Sequence, residues 1–283
     1  MVFELIASNY CYPTYVGEAS GCHVVNDFVT FQVAAICGLI GMTLGWRGVM
    51  TKYSGFYDLP TAWNQVFWGI LLGGAYASTA HNWLFIPYLE TGASGERAGE
   101  LNLINLILIT LIATIAMHFL LRRKRIRKGG SHATSGWGLG LAVGGMFSIV
   151  LIMYKVMAGV NGISDVLTIV LIAFFAPRAE ALITSYHGVL MLGGKRWGAI
   201  FRATFWRAAS ITMFYFAWLN LLAWIFIIPP ILLVQDSAEK WVWNSVPKEG
   251  QRRWRRMQAD KKREKQAAAR LIQRPDKHLV EQE

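Results

Sequence analysis

Residues 117–130 read MHFLLRRKRIRKGG. An uncharged apolar run ends at Leu121, and six of the next seven residues are Lys or Arg. Upstream, Leu101 to Leu121 is free of charge over about 20 residues, enough for a helix to cross about 30 Å of hydrocarbon. A helix on the surface of a soluble protein keeps one polar face, and this run has none. The basic block is then a stop. It holds the end of the helix at an anionic membrane surface, where each Lys or Arg contributes about 1 kcal/mol. This juxtaposition sets the fold class: an all-α integral membrane protein.

The composition agrees. The chain of 283 residues is 54% hydrophobic and 16% charged, whereas an average soluble domain is about 25% charged. A net charge of +11 would point to nucleic acid in a soluble protein. In a membrane protein it follows from Lys and Arg gathering in cytoplasmic loops. The start, MVFELIASNYCYPTY, has no basic residue and a broken apolar run, unlike a cleavable signal. The first span is therefore expected to act as an uncleaved insertion signal.

Six spans are expected: Phe28 to Gly45, Trp63 to Ile86, Leu101 to Leu121, Gly136 to Tyr154, Val160 to Ala176, and Ala208 to about Ile228, the last closed by Pro229-Pro230. Residues 1–27 hold Glu4, Glu18 and Asp27 and no Lys or Arg. Basic loops then alternate with acidic ones, which places the N-terminus outside and RRKRIRK inside a cell (inner) membrane. Arg178, Lys195, Arg196, Arg202 and Arg207 are assigned to an inner loop after the fifth span. Six crossings would leave the basic tail QRRWRRMQADKKREKQAAAR outside. A seventh segment, residues 181–194, is short enough to be re-entrant or interfacial. If it crossed, the tail would return to the cytoplasm, which is the preferred reading. The expected organisation is an extracytoplasmic segment (1–27), a transmembrane bundle (28–234) and a basic C-terminal tail (235–283). The tail is read as a helix from Lys248 to Gln273, because strong helix formers fill it and Pro275 follows.

Polar residues inside spans are the default functional candidates. His81, Asn82 and Asn220 are the proposed substrate pathway, and the ordinary role for Asn220 is an interhelical hydrogen bond. His81 and His118 fall at opposite depths, roughly 20 Å apart, so they cannot clamp one ligand. His118 and His187 both fall near the inner face. Small residues at spacings of three and four in GILLGGAYAST (69–79) and GWGLGLAVGG (136–145) are read as close-packing faces. Arg122, Arg123, Lys124 and Arg125, with Arg252, Arg253, Arg255 and Arg256 of the tail, are read as contacts to anionic lipid or to a partner. Trp241, Trp243 and Trp254 are assigned to the headgroup layer. Nucleic acid is an alternative partner for a basic tail mixed with aromatics. Cys11 and Cys22 lie where an outside location would permit a disulfide. No nucleophile-base pair, metal motif or dinucleotide fingerprint is visible, so no catalytic residue, metal or cofactor is assigned.

Three functions compete: a transport or channel component for a small solute or ion, which base rates favour; a membrane anchoring or assembly protein with the tail as its handle; and an intramembrane enzyme. A continuous polar cavity between the spans would favour the first, a dry, filled bundle the second, and a closed pocket lined by His and Ser the third.

With the N-terminus outside, an impermeant thiol reagent applied to reduced intact cells labels Cys11 and Cys22. Labelling that requires permeabilisation reverses the orientation.

Overall fold

The structure is a computed structural model that describes residues 27–88 and 101–272. Cys11 and Cys22 lie outside the described residues. Every regular element among the described residues is helical. In chain order these are α1 (Asp27–Val49), α2 (Leu59–Ala80), α3 (Leu103–Leu121), the short α4 (Lys124–Gly129), α5 (His132–Met157), α6 (Ile163–Leu192), α7 (Arg196–Leu219), α8 (Trp224–Asn244) and α9 (Lys248–Ile272). Asp58 caps α2 by accepting from the Thr61 amide at 3.2 Å, with Pro60 in the first turn. Asn102 caps α3 by accepting from Ile104 and Asn105.

Five helical stretches are long and apolar enough to cross a membrane: Phe28–Val49, Leu103–Leu121, His132–Met157, Ile163–Leu192 and Leu221–Asn244. The outer surface is the reverse of a soluble protein's. Large apolar groups face outward: Phe119 is 61% exposed, Phe205 65% and Leu233 78%. Inside, apolar side chains such as Trp137, Phe85 and Phe214 pack with glycines and with buried polar groups that include His118, His187, Glu180 and Arg207. Such a continuous apolar exterior is unsustainable in water and suits lipid. The protein is membrane-embedded.

Two expected spans are redrawn. Residues 181–194 are not a re-entrant segment. Residues 181–192 continue the fifth span as one helix, α6, of 30 residues with Pro177 inside it, and Gly193 and Gly194 form the turn that follows. The helix is about 45 Å long, and buried packing carries it past the proline. The expected sixth span is broken at Asn220, whose backbone is extended (φ −135°, ψ 118°). The chain reverses there into the turn Leu221–Ala223 and then α8. Pro229 and Pro230 lie inside α8 rather than at its exit.

The long helices run alternately between two ends. At one end Arg125 pairs with Asp58 at 3.5 Å, Arg123 stacks on Trp68, Lys52 pairs with Glu239, and Trp241 meets Tyr186. At the other, Trp218 Nε1 donates to the Leu151 carbonyl at 3.1 Å, and Lys155 pairs with Asp165 at 2.8 Å. Gly130, in the left-handed region at φ 63°, ends α4 at the first end and lets the chain turn into α5.

α5 is the centre. Gly136, Gly140 and Gly144 form one stripe against α6, where an added Cβ at Gly136 would lie 2.6 Å from the Thr184 carbonyl oxygen and one at Gly144 2.5 Å from that of Ala176. Gly69 and Gly73 of α2 meet the opposite side of α5 at Leu139 and Val143. Both small-residue runs are therefore helix-contact faces. The tail helix α9 is docked at its first turns. Trp254 packs on Tyr53 and Trp243, and Gln251 donates to the Trp243 and Val246 carbonyls at 3.0 Å.

Gly140→Ala should lower the unfolding midpoint in detergent, at a cost of about 1–3 kcal/mol for forcing the two backbones apart. Gly48→Ala, which has open space around the added carbon, should leave it unchanged or raise it. Equal effects at the two positions would remove the seam from its central role.

Candidate functional site

Arg207 sits halfway along α7 and is 0% exposed. Its Nε donates to both carboxylate oxygens of Glu180 on α6, at 3.3 and 3.0 Å. Its Nη1 donates to the Thr114 hydroxyl on α3. Its Nη2 donates to the Thr184 hydroxyl at 3.1 Å and lies 3.0 Å from Met117 Sδ. All three guanidinium nitrogens are thus engaged, and one cation ties α3, α6 and α7 together. A buried pair of this kind holds its geometry only while both partners are present, since removing one leaves an uncompensated charge away from water.

Three further polar groups extend the site along the bundle. Toward the basic end, His118 Nδ1 lies 2.9 Å from His187 Nε2, and the two residues are 5% and 1% exposed. One imidazole must donate and the other accept. Their positions follow from helical spacing: His118 is one turn beyond Thr114 on α3, and Thr184 and His187 follow Glu180 on one face of α6. Toward the opposite end stand Tyr76 of α2 and Tyr215 of α7. Both hydroxyls are buried without a hydrogen-bond partner, and Tyr76 lies within electrostatic range of Glu180, Arg207 and Tyr215. Beyond them Phe85 stacks on Tyr215 at 4.6 Å. His81 then stacks on Tyr154 of α5, with ring centroids 3.4 Å apart. Neither ring nitrogen of His81 has a hydrogen-bond partner. The segment His81–Phe85 is π-helical, a local widening often found where a helix serves a function.

The sequence-derived pathway residues are not brought together. His81 is buried at one end. Asn82 is exposed on the adjacent face. Asn220 is exposed at the helix break and accepts from the Leu222 amide at 2.9 Å, so its bond is a local cap and not an interhelical one. Lys155 pairs with Asp165 and packs over Trp218. The arginines of the first basic block lie at one end, with Arg122 closing α3 and Arg123 held by Trp68. In the tail, Arg252, Arg253, Arg255 and Arg256 are exposed. Trp241, Trp243 and Trp254 are half-buried against protein aromatics.

Arg207 and Glu180 are the residues that sequence reasoning missed. Arg207 and Arg178 were assigned to an inner loop, but both lie within helices. The overlooked signal is that Glu180 is the only acid between Asp165 and Asp236. A lone carboxylate in so long an apolar stretch needs a cationic partner. Two open apolar grooves lie on the outside, one along Met213, Phe216 and Phe226, the other along Trp68, Leu71 and Leu120. Neither touches the polar column. No group of three or more His, Cys, Asp or Glu side chains placed to hold a metal occurs among the described residues. Comparison with protein-family models, with curated proteins and with solved structures gives no match.

Arg207→Met should destabilise the bundle by about 3–5 kcal/mol by orphaning Glu180. Adding Glu180→Leu should restore most of that loss, as read by thermal unfolding in detergent. A double variant no more stable than the single one would mean that Arg207 acts through its other partners.

Proposed function

We propose that this protein is a transport or channel component that passes a small ion through the interior of a seven-helix bundle. The observation that carries the reading is the complete burial of Arg207 against Glu180 halfway along α7. Intramembrane charge is costly, and where it persists it marks ion pathways and relays. The polar groups on either side of the pair, His118 with His187 and Tyr76 with Tyr215, extend that reading toward both ends of the bundle.

The proposed topology has α1, α2, α3, α5, α6, α7 and α8 all crossing, with the N-terminus outside and α9 inside. Charge supports it. Lys155 is the only Lys or Arg at the opposite end among the described residues, and Asp165 neutralises it. All others lie at the basic end or inside the bundle. The α7–α8 reversal at Asn220 supplies the extra crossing that returns the basic tail to the cytoplasmic side. There α9 would lie beside anionic headgroups, with Arg252, Arg253, Arg255 and Arg256 exposed to them. An anchoring role is the second reading, favoured by the tightly closed seams around α5 and by the firm docking of Trp254 beneath an otherwise exposed basic helix.

The test uses the purified full chain in vesicles of phosphatidylethanolamine and phosphatidylglycerol, with imposed gradients of H⁺, K⁺, Na⁺ and Cl⁻ read by ion-sensitive dyes. Flux of at least one ion above that of empty vesicles, lost in Glu180→Gln, is expected. Vesicles that behave as empty ones under every gradient overturn the transport reading and leave the anchoring one.

A further inference from the structure

The geometry points to the proton as the ion that passes, along a column from His118 and His187, through Glu180 with Arg207 and the hydroxyls of Tyr76 and Tyr215, to His81 on Tyr154. This rests on the transport reading and names its substrate.

The column spans the hydrocarbon. Gly188 of α6 packs on the His132 backbone carbonyl, so His187 lies level with the start of α5. From His132 to Tyr154, α5 rises about 33 Å, close to the thickness of a bilayer core. The titratable groups therefore run from one end of the bundle to the other. They come from five different helices (α2, α3, α5, α6 and α7) and face one another inside. The cations nearest the inner pair are Arg122 and Arg196, within electrostatic range of His118, and Arg207, within range of His187.

What surrounds the column selects the ion. The α5–α6 and α2–α5 seams meet backbone to backbone at their glycines. A solute or a hydrated metal ion needs a passage wider than these contacts leave. A proton needs only groups that can accept and release it in turn, with a water molecule where two groups are too far apart. The inner histidines already share one hydrogen bond. When the donor ring takes up a proton at its other nitrogen, it passes the shared proton to the acceptor ring, which releases the proton held on its own other nitrogen; both rings then return by exchanging tautomers.

Two tyrosine hydroxyls and an imidazole are buried in the column without a protein hydrogen-bond partner. The Tyr76 hydroxyl lies within electrostatic range of Glu180, Arg207 and Tyr215. A buried hydroxyl or imidazole left without any partner costs about 1–3 kcal/mol, so water between these groups would both satisfy them and connect them. The hydroxyls are explained if each takes a proton, through water, from the carboxylate side and passes it toward His81. Phe85, stacked between Tyr215 and His81, is the apolar break in the column, and it sits on the π-helical segment.

Two measurements test this on the full-length chain. In planar bilayers with separate H⁺, K⁺ and Cl⁻ gradients, the current should reverse at the proton equilibrium potential. In vesicles, Tyr76→Phe and Tyr215→Phe should each lose most of the proton flux, while unfolding at or above the wild-type temperature because an unpartnered hydroxyl has been removed. Currents that reverse at the K⁺ or Cl⁻ potential overturn the proton and leave the transport reading standing. No current with any ion overturns both. Proton flux unchanged in the two Phe variants, with their stability raised, overturns the column.

Discussion

The contact between α5 and α6 is the constraint on which the other features depend. Gly136, Gly140 and Gly144 lie four residues apart, so they share one face of α5. With no side chain on that face, the α6 backbone carbonyls of Thr184, Glu180 and Ala176 lie directly against it. In lipid there is no hydrophobic drive to press helices together, so close van der Waals approach must hold them. The approach also fixes rotation. With the Glu180 backbone against Gly140, the carboxylate is carried round to α7, where Arg207 meets it, and Thr184 and His187 follow on the same side of α6.

The ion pair then does for α3 and α7 what glycine does for α5. Neither helix can rotate far without uncoupling Arg207 from Glu180, Thr114 or Thr184. The energetics are asymmetric. The assembled pair adds little over a well-packed apolar substitute, but a broken one is costly. A protein that needed only stability would not require it, and the same holds for the unpaired hydroxyls of Tyr76 and Tyr215. The lipid-facing surface carries no such cost, being filled by groups such as Phe205 and Leu233.

The two ends of the bundle differ in kind. One is strongly basic and aromatic, with Tyr53, Trp243 and Trp254 clasping the start of α9. The tryptophans read from sequence as a headgroup belt are half-buried in this clasp. A tryptophan near the membrane surface can serve either use, because its ring is apolar and its N–H polar. The other end carries the Lys155–Asp165 pair and the turn at Asn220, and it is close to neutral among the described residues.

The amino-acid sequence by itself determined the environment and the class of fold. The charge-free run before RRKRIRK cannot form a soluble helix, and the small-residue spacings of GWGLGLAVGG suit close packing. Those are local properties, legible in run length and period. The helix boundaries between Val160 and Asn244 were not legible, because hydropathy averages over neighbours: Asn220 breaks a run that reads as continuous, and Pro177 interrupts nothing in a run that reads as two. Nor could charge counting place Arg207. An arginine in a loop and an arginine paired inside a bundle have the same sequence signature until the partner is known. Glu180 lies 27 residues away, and only the packing of α5 against α6 turns it toward Arg207. The tertiary structure decided the site because its members come from five helices, and what brings them together is backbone contact at glycines, residues that contribute no chemistry of their own.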